Sequence, residues 1–272
     1  MRGQTIWVDD PSDPRLALYR NLTDVKLRRA TDAAHGVFLA EGKLVVRRLA
    51  ESGHAIHSVF LAANRTESLA DVIASVDAPI YVGPPGLLEA TTGFNIHRGV
   101  LAIGERPPAG QLDSLLEAAR TLAIVEDVTD HENLGALARS AHALGIDGLV
   151  LSPGCCDPLS RRALRVSMGT LLDLPHVRVT TWPADLDILK RRGFVLWALT
   201  PAGRIDLQAL RPPERVAMMF GTEGAGLSQA AMERADASVA IPVRTGTDSL
   251  NVAAAAAIVF HHLGRVGHSS PD

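Results

Sequence analysis

Residues 121–144 read TLAIVEDVTDHENLGALARSAHAL. The first five form a nearly uninterrupted apolar run, five of the next eight are acidic or amide-bearing, and from Leu134 apolar residues return at helical spacing. An apolar run without alternation suits a strand covered on both faces, because neither side can then be left polar. The polar stretch offers side-chain oxygens to the free N–H groups of a helix start. Together these residues predict strand, turn and helix, the βα half of a parallel-sheet unit.

The pattern recurs downstream. Apolar runs at Gly148–Leu151, 194–199, Val216–Phe220 and 237–241 read as further buried strands, with helices predicted over 134–144, 159–170, 184–192 and 251–263. Ligands on such sheets sit beyond the carboxyl ends of the strands, so chemistry is sought after Val125, Leu199, Phe220 and Ile241. Upstream, residues 14–105 alternate shorter runs: strand-like 36–40, helical 42–52, strand-like Ile56–Ala62, helical 67–75 and strand-like 99–103. The stretch from Glu105 to Gly110 concentrates Pro and Gly without periodicity and reads as a linker. A small α/β domain over residues 1–105 and a larger parallel-sheet domain over 106–272 are therefore expected.

Composition narrows the function classes. The 272 residues are 47% hydrophobic and 21% charged, enough for a substantial core. Aromatic residues make up only 4%, so platforms for stacking many single-stranded bases are not available. A net charge of -3 leaves room for a local basic surface without identifying one. The two cysteines are the adjacent Cys155 and Cys156, which support neither a disulfide framework nor a zinc site. No metal and no membrane partner are expected. The first residues lack the apolar core of a signal peptide and no 18-residue apolar run occurs, so a cytoplasmic location is expected.

Two further polar loops follow apolar strands. Phe220-Gly-Thr-Glu223-Gly-Ala-Gly226-Leu-Ser228 has three glycines in six residues, which allows a tight turn and close approach to a ligand. Its spacing is not GxGxxG, which argues against a nicotinamide nucleotide, and a simple structural turn is the plainer alternative. Ile241-Pro-Val-Arg-Thr-Gly-Thr-Asp-Ser249-Leu-Asn251 leads into an Ala-rich helix, where Ser249 or Asp248 could act only as a helix cap. In the first loop the plain reading is likewise capping. Against it stands Arg139 in an apolar helix, where a guanidinium needs an anionic partner or a site. Three such loops at one rim of a sheet are hard to explain by capping alone.

These motifs resemble those of the SpoU-type, or TrmH-like, RNA ribose 2'-O-methyltransferases of the SPOUT superfamily. The likeness rests on Asn133-Leu-Gly135 with Arg139, on Gly221-Thr-Glu223-Gly-Ala-Gly226-Leu, and on Ile241-Pro242 followed by Ser249-Leu-Asn251-Val, in the family's order. Leu39-Ala-Glu-Gly-Lys43 and His97-Arg-Gly-Val-Leu-Ala102 resemble the family's substrate-binding domain. One departure is His131 after Asp130, where the family commonly has proline. The resemblance implies a C-terminal SPOUT domain with a deep trefoil knot, preceded by a small α/β RNA-binding domain.

It also implies roles. S-adenosylmethionine (SAM) would be the cofactor, held by Leu199, Thr200, Gly221, Gly226, Ile241 and Leu250. Asn133 and Glu223 would shape the substrate side, Ser249 and Asn251 would orient Arg139 or the donor, and Arg139 would be the catalytic arginine. A guanidinium is a poor base, so an electrostatic role for Arg139 is expected, while the proton acceptor stays open. Because the family's arginine typically reaches the donor bound by the other subunit, a homodimer is implied, with rRNA or tRNA as substrate. The basic groups Lys26, Arg28, Arg29 and Arg161, Arg162, Arg165 are candidate phosphate contacts or solvated faces. His131-Glu132 does not begin HExxH, no serine lies in GxSxG, and His261-His262 reads as a solvated pair. The competing functions are a noncatalytic RNA-binding or ribosome-assembly protein and a nucleotide-dependent oxidoreductase.

Overall fold

The computed structural model describes residues 3–20, 22, 32, 34–93, 99–244 and 249–263, which form two compact units. The first comprises Met1–Pro108 and Leu159–Leu172, the second Ala109–Pro158 and Asp173–Asp272. The basic group Lys26, Arg28 and Arg29, together with His97 and Asp248, lies outside the described residues.

The first unit is built on a mixed sheet of β1 (Thr5–Trp7), β2 (Val37–Glu41), β3 (Ile56–Ala62), β4 (Ile80–Gly83) and β5 (Val100–Glu105), in the order β1-β4-β3-β5-β2. β1, β4 and β3 run parallel, and β5 runs antiparallel to both β3 and β2. The helix α1 (Lys43–Glu51) buries Val45, Val46 and Leu49, and α2 (Ala70–Ser75) and α3 (Leu87–Thr92) follow. Tyr19 packs its ring against Phe60 and shares a buried 2.8 Å hydrogen bond with Ser58, so its polar end is matched where water is excluded. β1, β4 and α3 were not read from the sequence.

The segment from Leu159 to Leu172 belongs to this same unit. The helix predicted over 159–170 is the shorter α6 (Arg161–Val166) followed by a tight turn at Thr170–Leu172. Arg161 donates to the buried Glu41 of β2 at 3.1 Å, and the His54 ring hydrogen-bonds the Leu172 carbonyl at 3.2 Å.

The second unit is a seven-stranded, wholly parallel sheet: β6 (Thr121–Val125), β7 (Gly148–Leu151), β8 (His176–Arg178), β9 (Val195–Leu199), β10 (Ile205–Asp206), β11 (Val216–Phe220) and β12 (Ala237–Ala240), ordered β10-β12-β9-β11-β6-β7-β8. Its helices are α4 (Leu112–Ala118), α5 (His131–Ala143), α7 (Leu186–Arg191), α8 (Gln229–Met232) and α9 (Val252–Leu263). Alternate residues of the central strands point to opposite faces. Leu122, Ile124, Ala217 and Met219 enter a core with Leu115, Leu116, Leu186 and Leu189 of α4 and α7. On the other face Phe220 meets Phe260 of α9 edge-on, with ring centres 5.5 Å apart. Burial on both faces is the cause of the uninterrupted apolar runs, each fully buried Leu or Phe contributing roughly 1.5–3 kcal/mol. Among the described residues no helix is long and apolar enough to cross a membrane.

Candidate active site

β9, β11 and β12 lie beside one another, and their carboxyl ends open into a cleft. Leu199, Thr200, Gly221, Gly226, Ile241 and Leu250 all line it, as do Glu223 and Ser249. The loop after β11 explains its glycines. A Cβ on Gly221 would lie 2.1 Å from the carbonyl carbon of Gly226, where no side chain fits. Gly226 adopts φ +71° and donates its N–H to the Thr222 carbonyl at 3.0 Å, closing the loop on itself. The remaining wall is largely apolar, from Phe220, Val239, Val252 and Ala255. Apolar walls against backbone at strand ends suit a flat heteroaromatic ring, and the acidic Glu223 in the lining suits a cationic group, so these residues fit SAM. Sequence reading missed Pro201 and Val243 as lining residues. Each lies within two residues of a predicted one, so closeness in the chain was the available signal.

Asn251 joins the three motifs. Its Oδ1 accepts from the N–H groups of Ala253 at 2.9 Å and Ala254 at 3.3 Å, which caps α9. Its Nδ2 donates to Asn133 Oδ1 at 2.7 Å and to Glu223 Oε1 at 2.8 Å. Since Asn133 Oδ1 is used as an acceptor, its amide nitrogen remains a donor with no hydrogen bond to the described residues. The cap of α9 is thus Asn251, where sequence reading offered Ser249 or Asp248. In the first motif Asp130 is the cap of α5, accepting from the N–H groups of Glu132 and Asn133.

The remaining predicted residues stand apart from this junction. Ser249 lies at the cleft and is exposed, and it makes no hydrogen bond to the described residues. Arg139 is exposed on α5, does not line the cleft, and has no hydrogen bond or ion pair to the described residues. This corrects the argument from its burial: α5 exposes Glu132, Arg139, His142 and Ala143, so the guanidinium is solvated and carries no desolvation cost in the single chain. Arg162 and Arg165 are exposed on α6 in the first unit.

Cys155 and Cys156 are buried thiols. Cys155 donates to the Val125 carbonyl, and burial, aided by the adjacent Cys155, pushes the Cys156 thiol up to about 12. Among the described residues no three metal-binding side chains come together.

The SpoU rRNA Methylase family matches residues 120–261, which contain all three motifs. An uncharacterised tRNA/rRNA methyltransferase from Mycobacterium tuberculosis is 42% identical over 265 residues, covering 96% of this chain and 92% of its own. A 23S rRNA guanosine 2'-O-methyltransferase of Bacillus subtilis is 27% identical, covering 94% of this chain and 98% of its own. Among solved structures, an AdoMet-bound rRNA methyltransferase of Sinorhizobium meliloti superposes with a TM-score of 0.81 at 25% identity, covering 96% of this chain and 98% of its own. The SpoU methyltransferase AviRb of Streptomyces viridochromogenes, in complex with AdoMet, gives the same TM-score and identity, covering 93% and 98%. With a family match over half the chain and a relative this similar along nearly its whole length, the chain belongs to the SpoU rRNA methylase family.

Proposed function

We propose that the protein transfers a methyl group from SAM to a ribose 2'-hydroxyl of rRNA or tRNA. The observation that carries this is the meeting of Asn133, Glu223 and Asn251 by hydrogen bonds at a cleft lined by the other family motifs. SAM supplies an activated methyl on a sulfonium. The chain's task is then chiefly positioning, because an in-line displacement needs donor carbon and acceptor oxygen held about 3 Å apart along one axis. Backbone at Gly221, Ile241 and Leu250 holds the donor, with Leu199, Thr200 and Gly226 closing the cleft around it. The amide nitrogen of Asn133 offers N–H to an acceptor on the RNA, and Ser249 lines the cleft. Arg139 stabilises negative charge at the attacking oxygen or grips the neighbouring phosphate through its planar fork.

Further parts of this reading rest on family membership and on the exposure of Arg139. The active form is a homodimer in which Arg139 serves the partner's donor, which accounts for its exposure and its place outside the cleft of its own chain. The C-terminal segment is threaded as a trefoil knot, the first unit engages RNA, no metal takes part, and the protein acts in the cytoplasm with its RNA. Calorimetry should detect SAM binding, and mapping 2'-O-methyl sites in RNA from cells with and without the protein should reveal at least one site lost. SAM binding with an unchanged methylation map would favour a noncatalytic RNA-binding role, and binding of NAD in place of SAM would reject the assignment.

A further inference from the structure

Glu126 follows β6 directly and is 3% exposed, a carboxylate buried within the second unit. Such a group is costly to bury unless donors meet it, and here all the partners found are donors. Trp182 gives its indole N–H to Oε1, the Ser228 hydroxyl donates to Oε1 at 2.6 Å, and the Ser228 N–H donates to Oε2 at 2.8 Å. The Glu126 N–H meanwhile donates to the Phe220 carbonyl at 2.8 Å. Phe220 and Ser228 are the two ends of the glycine loop, so one residue grips both ends of the segment whose middle lines the cleft.

The Ser228 hydroxyl both accepts and donates. It accepts from the Ala231 N–H at 3.2 Å, capping α8, and its single hydrogen goes to Glu126. Leu227, next to it, packs on the hydrophobic core. The loop is therefore pinned at its far end by a charge-assisted pair, which is stronger and more directional than apolar packing alone. None of these three side chains lines the cleft, so their effect on a ligand there has to pass through the loop.

We propose that Glu126 is a positioning residue for the methyl donor: by holding Ser228, with Trp182 bracing the same oxygen, it fixes the shape of the 221–228 loop that the donor meets. This rests on the reading of the cleft as the SAM site. Fixing a loop in its bound shape lowers the cost of ordering it when ligand arrives, so the effect falls on donor affinity. RNA affinity and the transfer step are expected to change little.

The test is a reciprocal exchange in the full-length protein, with SAM as the titrated probe in calorimetry. Glu126→Gln turns an acceptor into a donor facing the Ser228 N–H. Ser228→Asp keeps an oxygen to cap α8 but sets a second carboxylate against Glu126. Each alone is expected to weaken SAM binding about tenfold, the typical effect of losing one charged hydrogen bond. In the double variant the amide introduced at 126 can donate to the carboxylate introduced at 228, and affinity should return to within about threefold of the parent, the usual sign of direct coupling. In turnover, the KM for SAM should rise in the single variants while the KM for RNA and kcat stay within about twofold. A merely structural role predicts something else: both single variants lower Tm, and the double lowers it further without recovering affinity. If Glu126→Gln does not fold, Ser228→Asp at its exposed position still decides, because a cap alone predicts parental affinity and the proposed link predicts the loss. Parental SAM affinity in both single variants, or a double variant no better than the worse single, overturns the proposal. Absence of SAM binding by the unaltered protein would instead overturn the cofactor reading, and the proposal with it.

Discussion

Asn251 uses both ends of its amide, the oxygen for the N-terminus of α9 and the nitrogen for Asn133 and Glu223. Asn251→Ala should therefore cost about 1 kcal/mol as a lost cap and also release the two acceptors it joins. The expected outcome is a Tm only a few degrees lower, with methyl transfer reduced at least tenfold, measured by melting and turnover of the same preparation. The sequence displayed these residues as family motifs. It could not display their bonding, since Asn133 and Asn251 are brought together from far apart in the chain. Arg139 shows the opposite failure, because its neighbours suggested an apolar helix while its side chain lies on the exposed side. At Cys156 the sign of the pH dependence follows from the raised thiol. The neutral form is favoured in the fold, so its contribution is fully present below the unfolded value of about 8.5 and is lost as pH rises toward about 12. Denaturant midpoints over that range should fall less steeply for Cys156→Ala than for the parent, and alkylation of Cys156 at pH 8 should be much slower than in the unfolded chain.

Among the elements, those written as a continuous apolar run were legible even when short, and the short ones without such a run were not. β6, β7 and β11 match their apolar runs residue for residue because burial on two sides leaves no polar position to blur the ends. β8, β10 and α8 have four residues or fewer, so their placement depends on neighbouring strands and on capping by Ser228 rather than on local pattern. The glycine loop was seen as a turn or a ligand loop, and the close approach of Gly221 to Gly226 makes it a turn that lines a cleft. Gly221→Ala places a methyl group where backbone already stands, so the loop must open. We expect at least a tenfold loss of SAM affinity by calorimetry with β11 and its neighbours intact by circular dichroism; unchanged affinity would mean that the donor does not contact this loop.

At the level of the whole molecule, the proposed dimer and the divided first unit each make a prediction. Arg139→Ala subunits mixed with subunits whose cleft is filled by Gly221→Trp should regain activity if Arg139 serves the partner's donor, because one of the two sites then carries neither defect. Verified heterodimers that stay inactive would assign each subunit its own complete site. Arg139→Lys should not substitute for arginine, since it keeps the charge without the planar fork. The Pro-rich stretch near residue 107 looked like the sole passage between domains, yet the chain also passes between the units after Pro158 and after Leu172. Removing residues 1–105 takes β2 and Glu41 away from α6 and uncovers Leu164 and Leu171, both fully buried. That truncation should aggregate on size-exclusion chromatography, and replacing 159–172 by a short Gly/Ser linker as well should restore a soluble peak.

The same interruption bears on the order in which the protein is made. A domain emerging from the ribosome ordinarily folds once its own residues are out. Here the first unit still lacks α6 when Pro108 has been synthesised, and β6, α5 and β7 follow before it arrives. The amino-terminal unit and the opening strands of the parallel sheet therefore wait together on the nascent chain, and translation has to reach Leu172 before either can close.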